Sequence, residues 1–218
     1  MNHQSSEMHR LYTIGHSTHD LEHFMQLLKR HAITAVGDVR SSPYSKFNPQ
    51  YNREPLQKAL RENHIAYVFL GSELGPRSED PACYLNGKVQ FGRLARTEAF
   101  ERGLERLRTG MKAYRIALLC AEKDPITCHR MILVCRALRS DPIEICHILE
   151  DGSLEALQAS ERRLMRELKM LQLNMLEKPE DLIQRVYDAQ GERIAYVRDE
   201  ATRKEVGAEP EAGNSWNE

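Results

Sequence analysis

The chemically capable side chains gather in one stretch, Leu118-Leu119-Cys120-Ala121-Glu122-Lys123-Asp124-Pro125-Ile126-Thr127-Cys128-His129-Arg130. Two thiols, a carboxylate, an imidazole and a guanidinium are enough for nucleophilic, acid–base or anion-binding chemistry. The apolar run Arg115–Cys120 reads as a buried strand. Asp124 reads as an N-cap and Pro125 as the first residue of a helix, where a missing N–H costs nothing. Cys128 then falls in the first turn or so of that helix. There the unpaired N–H groups and the helix dipole favour a thiolate or an anion. Asp124 and Glu122 add negative charge to the same loop, which raises the pKa of Cys120 and makes Cys128 the better thiolate.

Other candidates lie at the ends of other strands. Leu11–Ile14 is a short apolar strand running into Gly15-His16-Ser17, followed by a helix over about 20–30. Ile33–Arg40 is a second strand with Asp38 and Arg40 near its end, on one face by alternation. They can pair with each other or face the crevice shared with Cys120. The loop 41–52 holds Tyr44, Phe47 and Tyr51, rings able to stack on a base or embrace a polar ligand.

The remaining pattern supplies the scaffold. Helices are expected over 54–63, 97–109 (stopped by Gly110) and up to about 138, with strands at 65–70 and 143–149. Gly71–Arg77 reads as a turn-rich loop and 78–94 as an insertion or lid. The order β-α-β-α-β-(insert)-α-β-α-β predicts an α/β fold with an open, mostly parallel sheet. Such sheets bind ligands at the carboxyl ends of their strands. The expected organisation is a disordered lead at 1–10, an α/β domain over 11–153, a helical extension at 154–198 packing on the same domain, and a disordered tail at 199–218. Within the extension, 161–176 reads as an amphipathic helix that could cap the sheet or meet a second subunit, with Pro179 ending it.

The 218 residues carry 31 basic and 32 acidic side chains, a net charge of −1. That balance gives no general drive toward nucleic acid or membrane. Mean hydropathy is −0.58, and no apolar run approaches a membrane span. The polar start lacks a signal-peptide pattern, so a cytoplasmic location is expected. The odd count of five cysteines argues against a disulfide framework. Cys120-x7-Cys128 matches no common zinc module, and no metal set is expected from spacing. Adjacent Cys128 and His129 diverge by about 100° on a helix, which disfavours a metal assembled from them with His16 and His147. No cofactor is named by any motif.

The segments Thr13-Ile-Gly-His-Ser17, Asp38-Val-Arg40 with Pro43 and Ser45, Leu74-Gly75, Leu119-Cys-Ala-Glu122, Cys128-His-Arg130 and His147-Ile-Leu with Asp151-Gly152 occur in this order. On these the chain resembles the bacterial domain of unknown function 488 family over about 11–152. The resemblance implies a Rossmann-like three-layer sandwich and no particular activity. A looser similarity is to rhodanese-like domains, which also place a cysteine at the end of a central strand. Here the loop after Cys120 carries Glu122 and Asp124 instead of small and basic residues.

The leading expectation is an intracellular enzyme acting on a nucleotide or a nucleic-acid base. Arg40 and Arg130 would grip phosphate, with His16 and Ser17 beside them. Asp38 or Glu122 would serve as base, Tyr44, Phe47 or Tyr51 would stack the ring, and Cys128 would act with His129 as nucleophile or site member. Two alternatives stand beside it: a thiol-based redox or sulfur-transfer enzyme using Cys128 or Cys120, and a non-catalytic module binding nucleic acid or a small ligand.

Overall fold

The computed structural model describes residues 9–172 and 178–198. The chain opens with β1 (His9–Gly15), α1 (Leu21–Arg30) and β2 (Ala35–Asp38), then α2 (Arg53–Glu62) and β3 (Ala66–Phe69). A short helix α3 (Gly71–Leu74) occupies the expected loop after β3. The expected lid contains a hairpin of β4 (Tyr84–Leu85) and β5 (Lys88–Val89) and a short helix α4 (Phe91–Leu94). Positive φ at Asn86 and Gly87 (51° and 80°) closes the hairpin, as an Asn-Gly turn should. Cys83, Val89, Phe91 and Leu94 sink into the main core, so this segment is part of the body and not a cover over it.

Helix α5 (Glu98–Met111) follows, then β6 (Ile116–Cys120), β7 (Ile143–Ile148), β8 (Leu154–Ala156), α6 (Leu157–Glu167) and α7 (Pro179–Ile194). Gly110 does not stop α5. The helix continues to Met111, and a Cβ at Gly110 would stand 3.0 Å from Ile116 Cδ1, so the glycine admits the start of β6. Pro179 opens α7 at its first position, where its ring is harmless.

The main sheet runs β3-β2-β6-β1-β7-β8. The first five strands are parallel and β8 pairs antiparallel with β7. The sheet therefore reaches past 153, into the segment expected as a helical extension. Alternation sorts its side chains into two cores. Tyr12, Ile14, Val36, Ala117 and Leu119 pack against α1 and α2 through Phe24, Leu28, Leu56 and Leu60. Leu11, Ala35, Ile116, Leu118 and Cys120 face α5, the helical stretch after Cys128, α6 and α7. The result is a three-layer α/β sandwich of Rossmann-like form. Leu164 of α6 is buried in the second core, and Met165, Leu168 and Met170 pack against it; the apolar side of α6 covers the sheet layer.

The first strand starts inside the lead expected at 1–10, since His9 and Arg10 already pair with Ile143 and Glu144. Residues 1–8, the end of the expected helix at 173–177 and the tail from 199 lie outside the described residues. Among the described residues, no helix is long and apolar enough to cross a membrane.

Candidate functional site

The loops leaving β1 and β6 lie side by side at the carboxyl edge of the sheet. His16 N–H donates to the Cys120 carbonyl and Ser17 N–H to that of Ala121, both at 2.9 Å. Gly15 is required here: a Cβ would come within 1.8 Å of the Glu122 carbonyl oxygen. Ser17 takes a positive φ of 48° as the chain turns away toward α1. Asp124 caps a single 3-10 turn, Pro125–Thr127, by accepting from Ile126 N–H. Arg163 of α6 grips that carboxylate with two bonds of 2.8 Å. Gln190 of α7 donates to the Ile126 carbonyl at 2.7 Å. The C-terminal helices thus brace the loop that carries Glu122 and Cys128.

The local path departs from the expected continuous helix. Cys128 is extended (φ −129°, ψ 141°) between the 3-10 turn and a π-type helix, Arg130–Cys135. Its carbonyl accepts from Met131 and Ile132 N–H, and its sulfur accepts from Arg130 N–H at 3.4 Å. It is therefore the residue that caps the second helix, not a member of its first turn. His129 is already helical (φ −59°, ψ −26°). This break removes the divergence of about 100° that adjacent helical residues would show, and Cys128 and His129 aim at one point. π-type segments occur often at functional sites.

At that point four donors meet. The ligand atoms of Cys120, Glu122, Cys128 and His129 all lie within 4.8 Å of one another. Glu122 Oε2 is 2.9 Å from Cys120 Sγ and 3.1 Å from Cys128 Sγ. His129 Nδ1 is 3.5 Å from Cys120 Sγ and 3.9 Å from Cys128 Sγ. His129 Nε2 meets the Val39 carbonyl at 2.9 Å. A carbonyl only accepts, so Nε2 carries the proton and the Nδ1 lone pair points at the thiols. Cys120, Cys128 and His129 are buried at 3%, 1% and 6% exposure. Glu122 is exposed and reaches in from the solvent side.

Three acids crowd one another here. Burial, then the Cys128 contact and the Glu122 charge, push the Cys120 thiol well up. Burial and the neighbouring Cys128 raise Glu122. Burial also opposes ionisation of Cys128, but a hydrogen bond from Cys120 and the Arg130 guanidinium outweigh it and hold Cys128 well below the usual thiol range.

Arg130 is fully buried behind the thiols. Its guanidinium donates to the carbonyls of Glu122 and Lys123 and to Thr13 Oγ1. Thr13 Oγ1 also bonds His147 Nδ1 at 2.8 Å, and His147 Nε2 has no partner among the described residues. Burial and then the nearby Arg130 lower the His147 pKa to about 3, so the ring is neutral.

The other expected site residues form a separate group. Ile14 and Val36 mark the opposite face of the sheet, and by alternation His16, Asp38 and Arg40 lie on that face. Arg40 Nε and Nη2 clasp Asp38 at 2.9 and 2.6 Å, and Nη2 also donates to the Tyr51 carbonyl. Asp38 further accepts from Arg40 N–H and from Tyr67 O–H. His16 accepts from Arg40 Nη1, donates from Nδ1 to the Ser17 carbonyl, and stacks on Tyr51 at 4.2 Å. Burial brings the His16 pKa down to about 4. Tyr44 is 55% exposed and bonds Glu54. Tyr51, expected to stack on a ligand, stacks on His16 instead; Thr13, Tyr67, Arg163, Gln190 and the Val39 carbonyl were not expected as supports. Only tertiary contact reveals them.

A parallel-centred α/β sandwich with a thiol–carboxylate–imidazole cluster at its strand ends defines the class. The chain belongs to the family described as Domain of unknown function DUF488, whose model matches residues 20–137, more than half of its length. No curated protein and no solved structure gives a match.

Proposed function

We propose that the protein works through a divalent metal centre of the zinc class, held by Cys120, Glu122, Cys128 and His129. The observation carrying this reading is the convergence of four donor atoms within 4.8 Å. Around a tetrahedral zinc ion, sulfur and nitrogen ligands stand about 3.5 Å apart. His129 Nδ1 stands 3.5 and 3.9 Å from the two sulfurs. Glu122 Oε2 lies nearer the sulfurs because it takes part in hydrogen bonds with them; it would draw back by about half an ångström to share an ion.

Two further features support the reading. Metal-ligating histidines almost always donate their other N–H to a carbonyl or carboxylate, and His129 does so to Val39. Charge also closes. Two thiolates and a carboxylate around a divalent cation leave one negative charge, and the buried Arg130 guanidinium offsets it. Thiolate with imidazole selects zinc over magnesium or calcium, which prefer all-oxygen sites.

The phosphate-gripping roles expected for Arg40 and Arg130 have less support, because both guanidinium groups are engaged by protein acceptors. A dithiol redox reading is favoured by one observation, the nearness of Cys120 and Cys128 with the latter biased toward thiolate. Native mass spectrometry and elemental analysis of the full chain, purified without chelator, separate the two. One zinc per chain, lost in Cys120→Ser and Cys128→Ser, is the expected result. Metal-free protein that forms a Cys120–Cys128 disulfide on mild oxidation would replace the metal reading with the redox one.

A further inference from the structure

The four donors are not equivalent. Cys120 is fixed at the end of β6, Cys128 by the Arg130 N–H at its sulfur, and His129 by its bond to Val39. All three are buried. Glu122 alone is exposed. Its backbone is pinned, since its carbonyl accepts from Arg130 and presses on Gly15. Its side-chain partners among the described residues are the two thiols. Among the described residues, no arginine, lysine or backbone N–H of another residue holds the carboxylate against them. A long side chain on a fixed backbone, held by the two thiols it would help to ligate and by its own N–H, can swing toward solvent.

Structural zinc sites are closed by four firm ligands, whereas catalytic sites keep three and leave one position for water or substrate. We infer that Glu122 is the exchangeable fourth ligand, so that the centre is a hydrolytic one built on Cys120, Cys128 and His129. The inference rests on the metal-centre reading above. When Glu122 leaves the ion, water takes its place and the carboxylate stays within reach as the proton acceptor. The water oxygen bonds to an electrophilic carbon while its proton passes to Glu122. The carbon–nitrogen bond then breaks, and Glu122 returns the proton to the departing amine. Water is consumed and one amine released for each bond cut.

The surroundings narrow the substrate. With Glu122 off the ion, the two thiolates balance a divalent cation, and the N–H groups of the adjacent Arg130 serve the loop carbonyls and Thr13. Arg40 is bound to Asp38. Neither cation is available to an incoming phosphoryl group. A neutral amide or amidine carbon suits the site better, the exocyclic amidine of a nucleobase included. Two cysteines, a histidine and a proton-carrying glutamate are also the set with which zinc deaminases attack such carbons.

The test uses the full-length protein loaded with cobalt(II), whose visible bands report coordination. Acetohydroxamate, an amide-like ligand that binds an open metal position through its oxygens, is titrated into wild type, Glu122→Ala and Glu122→Gln, with inorganic phosphate in parallel. The expected result is reversible band shifts with hydroxamate and none with phosphate. Both Glu122 variants, checked for native circular dichroism, should keep one cobalt per chain, with affinity reduced by no more than about 100-fold. Should Glu122→Ala not fold, Glu122→Gln decides. Bands that ignore hydroxamate, or Glu122 variants that lose cobalt as Cys128→Ser does, would make the centre a closed structural one and overturn the inference alone. A shift with phosphate would overturn the substrate class. Wild type that gives no sulfur-to-cobalt band would bring down the metal centre and this inference together.

Discussion

Two buried clusters of ionisable side chains sit at the same edge of one sheet, on opposite faces, and they are built to opposite rules. In the Asp38–Arg40–His16 cluster the donors and acceptors match. The carboxylate takes two bonds from the Arg40 guanidinium, one from its backbone N–H and one from Tyr67. In the Cys120–Glu122–Cys128–His129 cluster the acceptors crowd together. A histidine lone pair and a carboxylate oxygen point at two sulfurs, with too few protons to satisfy them once the thiols ionise. Matched buried charges hold a fold together. Converging buried lone pairs call for a cation.

The largest effect expected from this contrast is on Asp38. Asp38→Ala leaves Arg40 buried without its counter-ion, which costs about 3–5 kcal/mol of stability. Urea unfolding followed by circular dichroism should show the unfolding free energy extrapolated to water fall by that amount. A loss under about 1 kcal/mol would mean that the pair is not structural, and the contrast between the clusters would collapse.

Acid should weaken the side of the molecule behind the thiols. His147 is neutral in the fold, with its pKa lowered to about 3 by burial and by Arg130. In the unfolded chain it titrates near its ordinary value of about 6.5. Above that value both states are neutral and His147 contributes no pH dependence. Between about 6.5 and 3 the unfolded chain takes up a proton that the folded one does not. Stability therefore falls as pH falls through this window, by an amount on the order of a few kcal/mol. A thermal-unfolding series from neutral pH downward should show this limb, and His147→Leu should make it shallower, leaving the part that His16, lowered to about 4, contributes. An unchanged slope in the variant would place the titration elsewhere.

Cys128→Ser should change the stability of metal-free protein by only about 1 kcal/mol while abolishing metal binding. In wild type, chelator should lower the melting temperature, since a ligand at a thousand times its dissociation constant stabilises by about 4 kcal/mol. A serine variant as unstable as Asp38→Ala would erase the distinction between a structural and a ligand-binding cluster.

The contrast also shows what the chain discloses before folding. The alternation of strands and helices is legible because each apolar period is long enough to declare itself. Gly15, His16, Asp38, Arg40 and the Cys120–Arg130 stretch are legible as residues of unusual chemistry at strand ends. Their division into two groups is not. Residues 14 and 16, or 118 and 120, share a face within one strand, but which face each strand turns to which helix depends on packing from α5, α6 and α7. The approach of Cys128 to His129 was hidden for a similar reason. A single extended residue between a 3-10 turn and a π-type helix leaves no periodic trace, and the expected uninterrupted helix would have sent the two side chains apart. Strand β8 is only Leu154–Ala156, too short to announce itself against the helical pattern that follows.

The smallest effect sharpens the comparison from outside it. Arg163 lies beyond the family match and touches none of the four donors, yet it holds Asp124, which caps the turn leading to Cys128. Both partners are about one-third exposed, so the pair adds no more than about 1 kcal/mol to stability. Its consequence should appear in the site instead. Arg163→Met should leave the melting temperature nearly unchanged and weaken metal binding by about 10-fold or somewhat more, the range typical of groups that position ligands without touching the ion. Competition against a chromophoric chelator measures that affinity directly. Unchanged affinity would mean that the turn keeps its shape without α6. A loss confined to affinity would mean that the C-terminal helices are part of what makes the cluster converge.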